Sequence, residues 1–247
     1  MVRAARLSLL GFMLLFALPL GAHALVQWRT ADWTQSWSSA DWSSTGTLPP
    51  PSAQPDAMVR IYAARVGRWR GIFAVHSWIV VKEEGASSYE RFDKVGWGRP
   101  IRRDAYPPDG RWYGNEPSIV FAADGEEARA LIPKIRQAVE EYPYGHAGDY
   151  RVWPGPNSNT FVASVLAAVP EMGASLPPTA IGKDFPMDGS WLGLAPSRTG
   201  FRVSLGGYGG FTLAWVEGIE FNILGAVAGL DLRRPAIKLP GFGRVGI

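Results

Sequence analysis

The sequence predicts an α+β domain, a central antiparallel sheet carrying two or three packed helices. Three observations lead there. The run from Ile72 to Lys82 is apolar at nearly every position, as a strand buried on both faces requires. Two later stretches, after Asp124 and after Asn157, place apolar residues at helical spacing. Gly 29, Pro 20 and Trp 11 in 247 residues favour short strands and many turns over a helical bundle.

The elements follow in chain order. Residues 1–24 read as a targeting segment: Arg3 and Arg6 precede an apolar run from Leu7 to Leu20, and Ala22-His23-Ala24 fits a small-x-small cleavage site. Extending the run to Val26 gives the length of a membrane span, so a cleaved signal peptide and an N-terminal anchor are both open. Either places the rest outside the cytoplasm, exported, periplasmic or anchored to the inner membrane. Residues 25–56 form a Trp-rich segment and a Pro-rich linker. Trp28, Trp33, Trp37 and Trp42 are spread over more than one helical face, and Ala31-Asp32-Trp33 returns as Ala40-Asp41-Trp42. These rings either sit at a membrane interface or pack on the domain. Pro49-Pro50-Pro51 stiffens the chain, and one α+β domain is expected over 57–247.

Met58 to Arg65 alternates as a strand. In the next run Phe73, Val75, Ile79 and Val81 are expected on one face and Ile72, Ala74, Trp78 and Val80 on the other, with His76 among them. Tyr89 to Val95 returns antiparallel, Gly96 to Glu116 is loop-like, and Ser118 to Ala122 is a short strand. Asp124 caps a helix to Tyr142 with Leu131, Ile132, Ile135 and Val139 inward, and Pro133 is expected to kink or split it. Asn157 caps a second helix, which Pro170 stops. Phe201–Leu205 and Phe211–Val216 read as a hairpin, with Glu217 to Leu224 continuing extended. The Gly-rich turn of that hairpin lacks the strand–loop–helix setting of a phosphate loop.

Composition narrows the chemistry. The net charge of +3 falls further if the leader arginines are removed, and no Lys/Arg stripe interleaves with aromatics, so no nucleic-acid partner is expected. Absent cysteine excludes thiol nucleophiles and disulfides. Three histidines without a metal-ligand spacing point to no metal and no cofactor. The partner expected is a membrane or cell-envelope component.

The stretch from Tyr142 to Phe161 is dense in Gly, Pro, Asn and aromatics and ends at a helix start. Ser158 falls in the first turn, where free N–H groups and the helix dipole favour a polarised oxygen. The same four residues, Asn157, Ser158, Asn159 and Thr160, also suit a plain helix cap.

The runs His76-Ser77-Trp78, Gly155-Pro156-Asn157-Ser158-Asn159-Thr160-Phe161 and Leu230-Asp231-Leu232-Arg233-Arg234-Pro235 resemble an uncharacterised bacterial family, the domain of unknown function numbered 3750. The strand His followed by Asn-Ser at a helix start is also similar to the permuted papain-like peptidases and acyltransferases of the NlpC/P60 type. That resemblance implies His76 as base, Ser158 in place of the Cys nucleophile, and Glu90 or Asp93 orienting the imidazole. Two functions follow from it. One is a serine-variant hydrolase or acyltransferase on an envelope amide or ester. The other is a non-catalytic envelope binding or scaffold domain, in which Asn157, Asn159, Trp78, His146, Tyr150 and Trp153 form the binding surface. His146, in the Gly-rich loop, is an alternative to His76.

Overall fold

The computed structural model describes residues 2–31, 33 and 36–246. Asp32, in the first copy of the Ala-Asp-Trp near-repeat, lies outside them. The α+β class holds, but one central sheet becomes two antiparallel sheets, of five and seven strands, and no papain-like architecture is shown.

The first sheet comprises β1 (Met58–Arg65), β2 (Val75–Lys82), β3 (Glu90–Lys94), β4 (Ile101–Arg103) and β5 (Ser118–Asp124), in the order β4-β3-β2-β1-β5. β4 falls inside the stretch that reads as loop. All of β2 is buried, as its apolar run requires. Its Val75, Ile79 and Val81 meet Leu131, Ile132, Phe161 and Val165 in the main core. Those four come from the helices α3 (Gly125–Glu140) and α4 (Ser158–Ala168). Each such side chain, fully buried, contributes roughly 1.5–3 kcal/mol. Trp78 and Val80 point the other way, into a smaller core with Tyr62, Ala64, Val95 and Trp112. α3 runs unbroken through Pro133, which sits on its exposed side, where the missing N–H leaves no buried carbonyl unpaired.

From Trp42 to Leu48 the chain packs on the domain. Trp42 is surrounded by Tyr106, Trp112 and Tyr113, with ring centroids 4.7–5.2 Å away. The Asp109 carboxylate clasps the chain beyond it, accepting from Ser44 Oγ at 2.6 Å, Thr47 N at 2.8 Å and Leu48 N at 3.2 Å.

The second sheet is a meander: β6 (Leu192–Leu194), β7 (Gly200–Ser204), β8 (Gly209–Ala214), β9 (Gly218–Ile223), β10 (Ala226–Asp231), β11 (Ala236–Leu239) and β12 (Gly243–Val245). Directly paired residues share a face, so the register defines rows. One row runs Gly193, Arg202, Thr212, Glu220, Gly229, Lys238, Arg244. It is polar or Gly throughout and faces the protein, with Thr212, Glu220 and Lys238 buried. Here Lys183 and Lys238 both pair with Glu220. The neighbouring row runs Leu194, Phe201, Leu213, Ile219, Leu230, Ile237, Val245 and faces outward.

The N-terminal helix comprises α1 (Val2–Phe12), a π-helical turn (Met13–Ala17) and α2 (Leu18–Thr30). From Ala5 to Thr30 it is long and apolar enough to cross a membrane, which suits a signal sequence or an anchor. Its π-helical turn lies against β10, and the His23 ring packs on Phe242 at 4.9 Å.

Candidate functional site

The loop from Tyr142 to Asn157 is set by its own hydrogen bonds. Both Trp153–Pro154 and Gly155–Pro156 peptide bonds are cis. Asn157 accepts from the N–H groups of Asn159 at 2.9 Å and Thr160 at 3.2 Å, and its own N–H donates to Thr160 Oγ1 at 3.1 Å. Its Nδ2 donates to the carbonyls of Val152 and Ile181. Gly182 passes so close to this amide, at φ +98°, that a Cβ there would lie 2.3 Å from Asn157 Nδ2. Asn159 reaches across to β2: its Nδ2 donates to Val75 O at 2.9 Å, and its Oδ1 accepts from Ser77 Oγ at 2.9 Å. The predicted binding roles of Asn157 and Asn159 therefore give way to structural ones, because their amides are spent fixing α4 to the sheet.

His76 stands on the other face of β2 from Ser77. Its Nε2 donates to Asp93 Oδ1 at 2.8 Å, and its ring stacks on Trp112 at 3.6 Å and 8°. Arg91 grips the same carboxylate with Nε at 2.7 Å and Nη2 at 2.9 Å, donates to Pro107 O, and lies 4.1 Å from the Trp78 ring. Burial lowers the His76 pKa against the pull of Asp93, so the imidazole is neutral with its proton on Nε2. Burial works against the Asp93 charge, but Arg91 and the His76 hydrogen bond outweigh it and hold the carboxyl below its usual range. Nδ1 of His76 has no hydrogen-bond partner among the described residues.

The orienting carboxylate is Asp93, not Glu90. Alternation along β3 puts Glu90 on the α3 side, where it pairs with Arg136 at 3.0 Å and Arg103 at 3.4 Å. Asp93 shares the opposite face with Arg91. Ser158, buried in the first turn of α4, makes no hydrogen bond to His76; its hydroxyl and amide face the Tyr150 hydroxyl, whose pKa burial raises. The expected Ser158–His76 contact is thus not formed, since the strand places His76 and the helix-facing Ser77 on opposite sides.

The predicted aromatic cleft does not assemble. Trp78 is fully buried and donates through Nε1 to Pro108 O. Trp153 leans on Tyr208 at 4.8 Å and donates to Leu224 O, tying the loop to the second sheet. His146 is out in solvent near Asp149. It does line an open cavity of about 730 Å³ at the end of α3, with Arg99, Arg102, Arg103, Glu140 and Tyr142. Arg103 is paired to Glu90 and Glu140. Arg99 and Arg102 have no carboxylate partner among the described residues, and the buried Tyr142 hydroxyl has no hydrogen-bond partner. The run Arg99, Arg102, Arg103 in the sequence is the signal that could have pointed there.

Fold and site together define an α+β protein with an apolar N-terminal helix, a buried His–Asp–Arg cluster and an open basic cavity. The chain belongs to the family described as "Protein of unknown function (DUF3750)", which matches residues 56–185, just over half its length. The seven-stranded sheet lies beyond the matched stretch. No curated protein and no solved structure matches the chain, and no papain-like similarity is found.

Proposed function

We propose that this chain is a non-catalytic cell-envelope domain that binds an anionic envelope component in the cavity beside His146. The observation carrying this reading is the cavity itself, open, about 730 Å³, and lined by Arg99, Arg102, Arg103 and His146. Charged hydrogen bonds from guanidinium groups suit phosphate or carboxylate bidentately. The test is calorimetric titration of the full chain in detergent with a phosphate-bearing glycerol polymer and with its neutral analogue. Binding of the anionic polymer alone, weakening with salt, is expected. Arg102→Ala should weaken it by roughly ten- to a hundredfold, since a hydrogen bond to a charged group contributes about 1.5–3 kcal/mol. Equal binding of both polymers, or indifference to Arg102→Ala, sinks the reading.

A second reading is favoured by one observation. Asp93 commits Nε2 of a neutral His76, leaving Nδ1 as a free base. In a serine-variant hydrolase or acyltransferase, Ser158 would be the nucleophile and Asp93 the orienting group, and the active form would have to bring Ser158, unbonded to His76 in this structure, within its reach. Labelling of Ser158 by a fluorophosphonate probe, lost in His76→Ala, is the result it requires.

A further inference from the structure

We infer that the outward face of the seven-stranded sheet is a lipid-contacting surface that rests on the bilayer beside the N-terminal helix. The inference builds on the anchor reading of that helix, and three observations support it.

The first is the polarity of the sheet. Its inner row is polar or Gly and buried at Thr212, Glu220 and Lys238, with Ala214 and Val227 the apolar side chains buried beside it, while the neighbouring apolar row, from Leu194 to Val245, faces away from the protein. Leu194 is 64 % exposed, Ile237 52 % and Leu230 47 %. A sheet against water shows the opposite arrangement, apolar inward and polar outward. Apolar side chains alternating outward over a polar inner face are the pattern of strands in contact with lipid.

The second is continuity. The π-helical turn of the N-terminal helix lies against β10 with Phe16 buried, and His23 further along is buried against Phe242. Leu7, Leu10, Leu14 and Leu18 of the same helix stay exposed. Helix and sheet face therefore form one apolar surface, and the layer that takes the helix also takes the sheet.

The third is the rim. Trp215, just past the end of β8, and Trp191, just before β6, are 57 % and 72 % exposed. Trp215 stands at one end of the strands; Trp191, whose carbonyl accepts from Ser204 N, and Tyr208, in the β7–β8 turn, stand at the other. Tryptophan and tyrosine favour the headgroup level, where one end of the ring is apolar and the other wet. The sheet has two open edges, β6 and β12, whose backbone groups cannot be left bare in hydrocarbon. It therefore lies at the interface, with only the outward side chains entering the acyl layer, and the helix, packed on β10 through its middle turn, lies along the same interface beside it.

The chain has no cysteine, so single nitroxide labels can be placed uniquely in the full-length protein. Leu194→Cys, Leu230→Cys and Ile237→Cys report the sheet face, Leu10→Cys the helix and Lys134→Cys the exposed side of α3. In vesicles of phosphatidylethanolamine and phosphatidylglycerol, collision with oxygen and with a water-soluble nickel chelate is compared at each site. The inference expects the three sheet labels and Leu10→Cys to favour oxygen and lose nickel contact, with Lys134→Cys favouring nickel. Sheet labels that behave like Lys134→Cys while Leu10→Cys favours oxygen would overturn the inference and leave the anchor standing. Nickel contact at Leu10→Cys as well would remove the anchor reading along with it. Sheet labels shielded from both reagents would show a protein partner, such as a second copy, in place of lipid.

Discussion

The two sheets solve burial in opposite ways. In the first, β2 is apolar on both sides, and the polar cluster of His76, Asp93 and Arg91 is a local exception inside an ordinary core. In the second, charge is what the sheet buries: Glu220 lies between Lys183 and Lys238, and apolar side chains are turned out. Burial works against the Glu220 charge, but the two lysines outweigh it and keep its pKa low. Asp184 and Glu220 overcome the same burial penalty to raise the pKa of Lys183. The contrast teaches that the first sheet is complete within the protein, whereas the second satisfies only its inner side.

The largest effect expected is from Asp93→Ala. It leaves Arg91 buried without its carboxylate and His76 without its acceptor, and removing one partner of such a pair costs about 3–5 kcal/mol. Denaturant unfolding of the full chain in detergent reads it. Glu220→Ala should come close behind, at about 3–5 kcal/mol, because the buried Lys238 then has no carboxylate and Lys183 keeps only Asp184. A loss below about 1 kcal/mol, the level of a surface pair, would break the comparison by showing that the inner row is wet. Asn157→Ala removes the cap of α4 and should cost about 1–2 kcal/mol, measured the same way. Arg129→Ala, whose partners Glu84 and Glu126 are exposed, should change stability by roughly 0.5 kcal/mol or less.

A pH series sharpens the contrast. The folded His76 pKa lies below 6.5, so the unfolded chain takes up that proton first and stability falls as pH drops below 6.5. The slope approaches about 1.4 kcal/mol per pH unit for one proton. Asp93 and Glu220, both lowered, add the same sign of slope as pH falls through the carboxylate range. His23, also lowered by burial, adds slope in the same window, so His76→Gln should make the upper part of the curve shallower without abolishing its slope and leave the lower part. An unchanged curve would place the titration elsewhere.

Much of the first sheet was legible because its signals are one-dimensional. The continuous apolar run of β2, the cap at Asn157 and the periodicity of α3 need no knowledge of neighbours. The site was less legible because it depends on register and face. Glu90 and Asp93 are three residues apart, and only strand pairing says which of them shares a side with His76. Trp112 lies in a loop with no periodic signal, yet it stacks on His76. In the second sheet, alternation such as Phe201-Arg202-Val203-Ser204 shows that two faces differ but not which one meets the protein. The inverted polarity of that sheet was therefore present in the sequence but could not be oriented from it.

The Asp109 clasp has a mechanical consequence. Where the N-terminal helix acts as an anchor, its end at Thr30 and the stretch Trp42 to Leu48 fixed to the domain are separated by a strap of about a dozen residues. Fully extended, such a strap spans roughly 40 Å. An anchored domain on such a strap would be bolted down rather than leashed, and the ligand search proposed above would be confined to two dimensions, along the envelope surface.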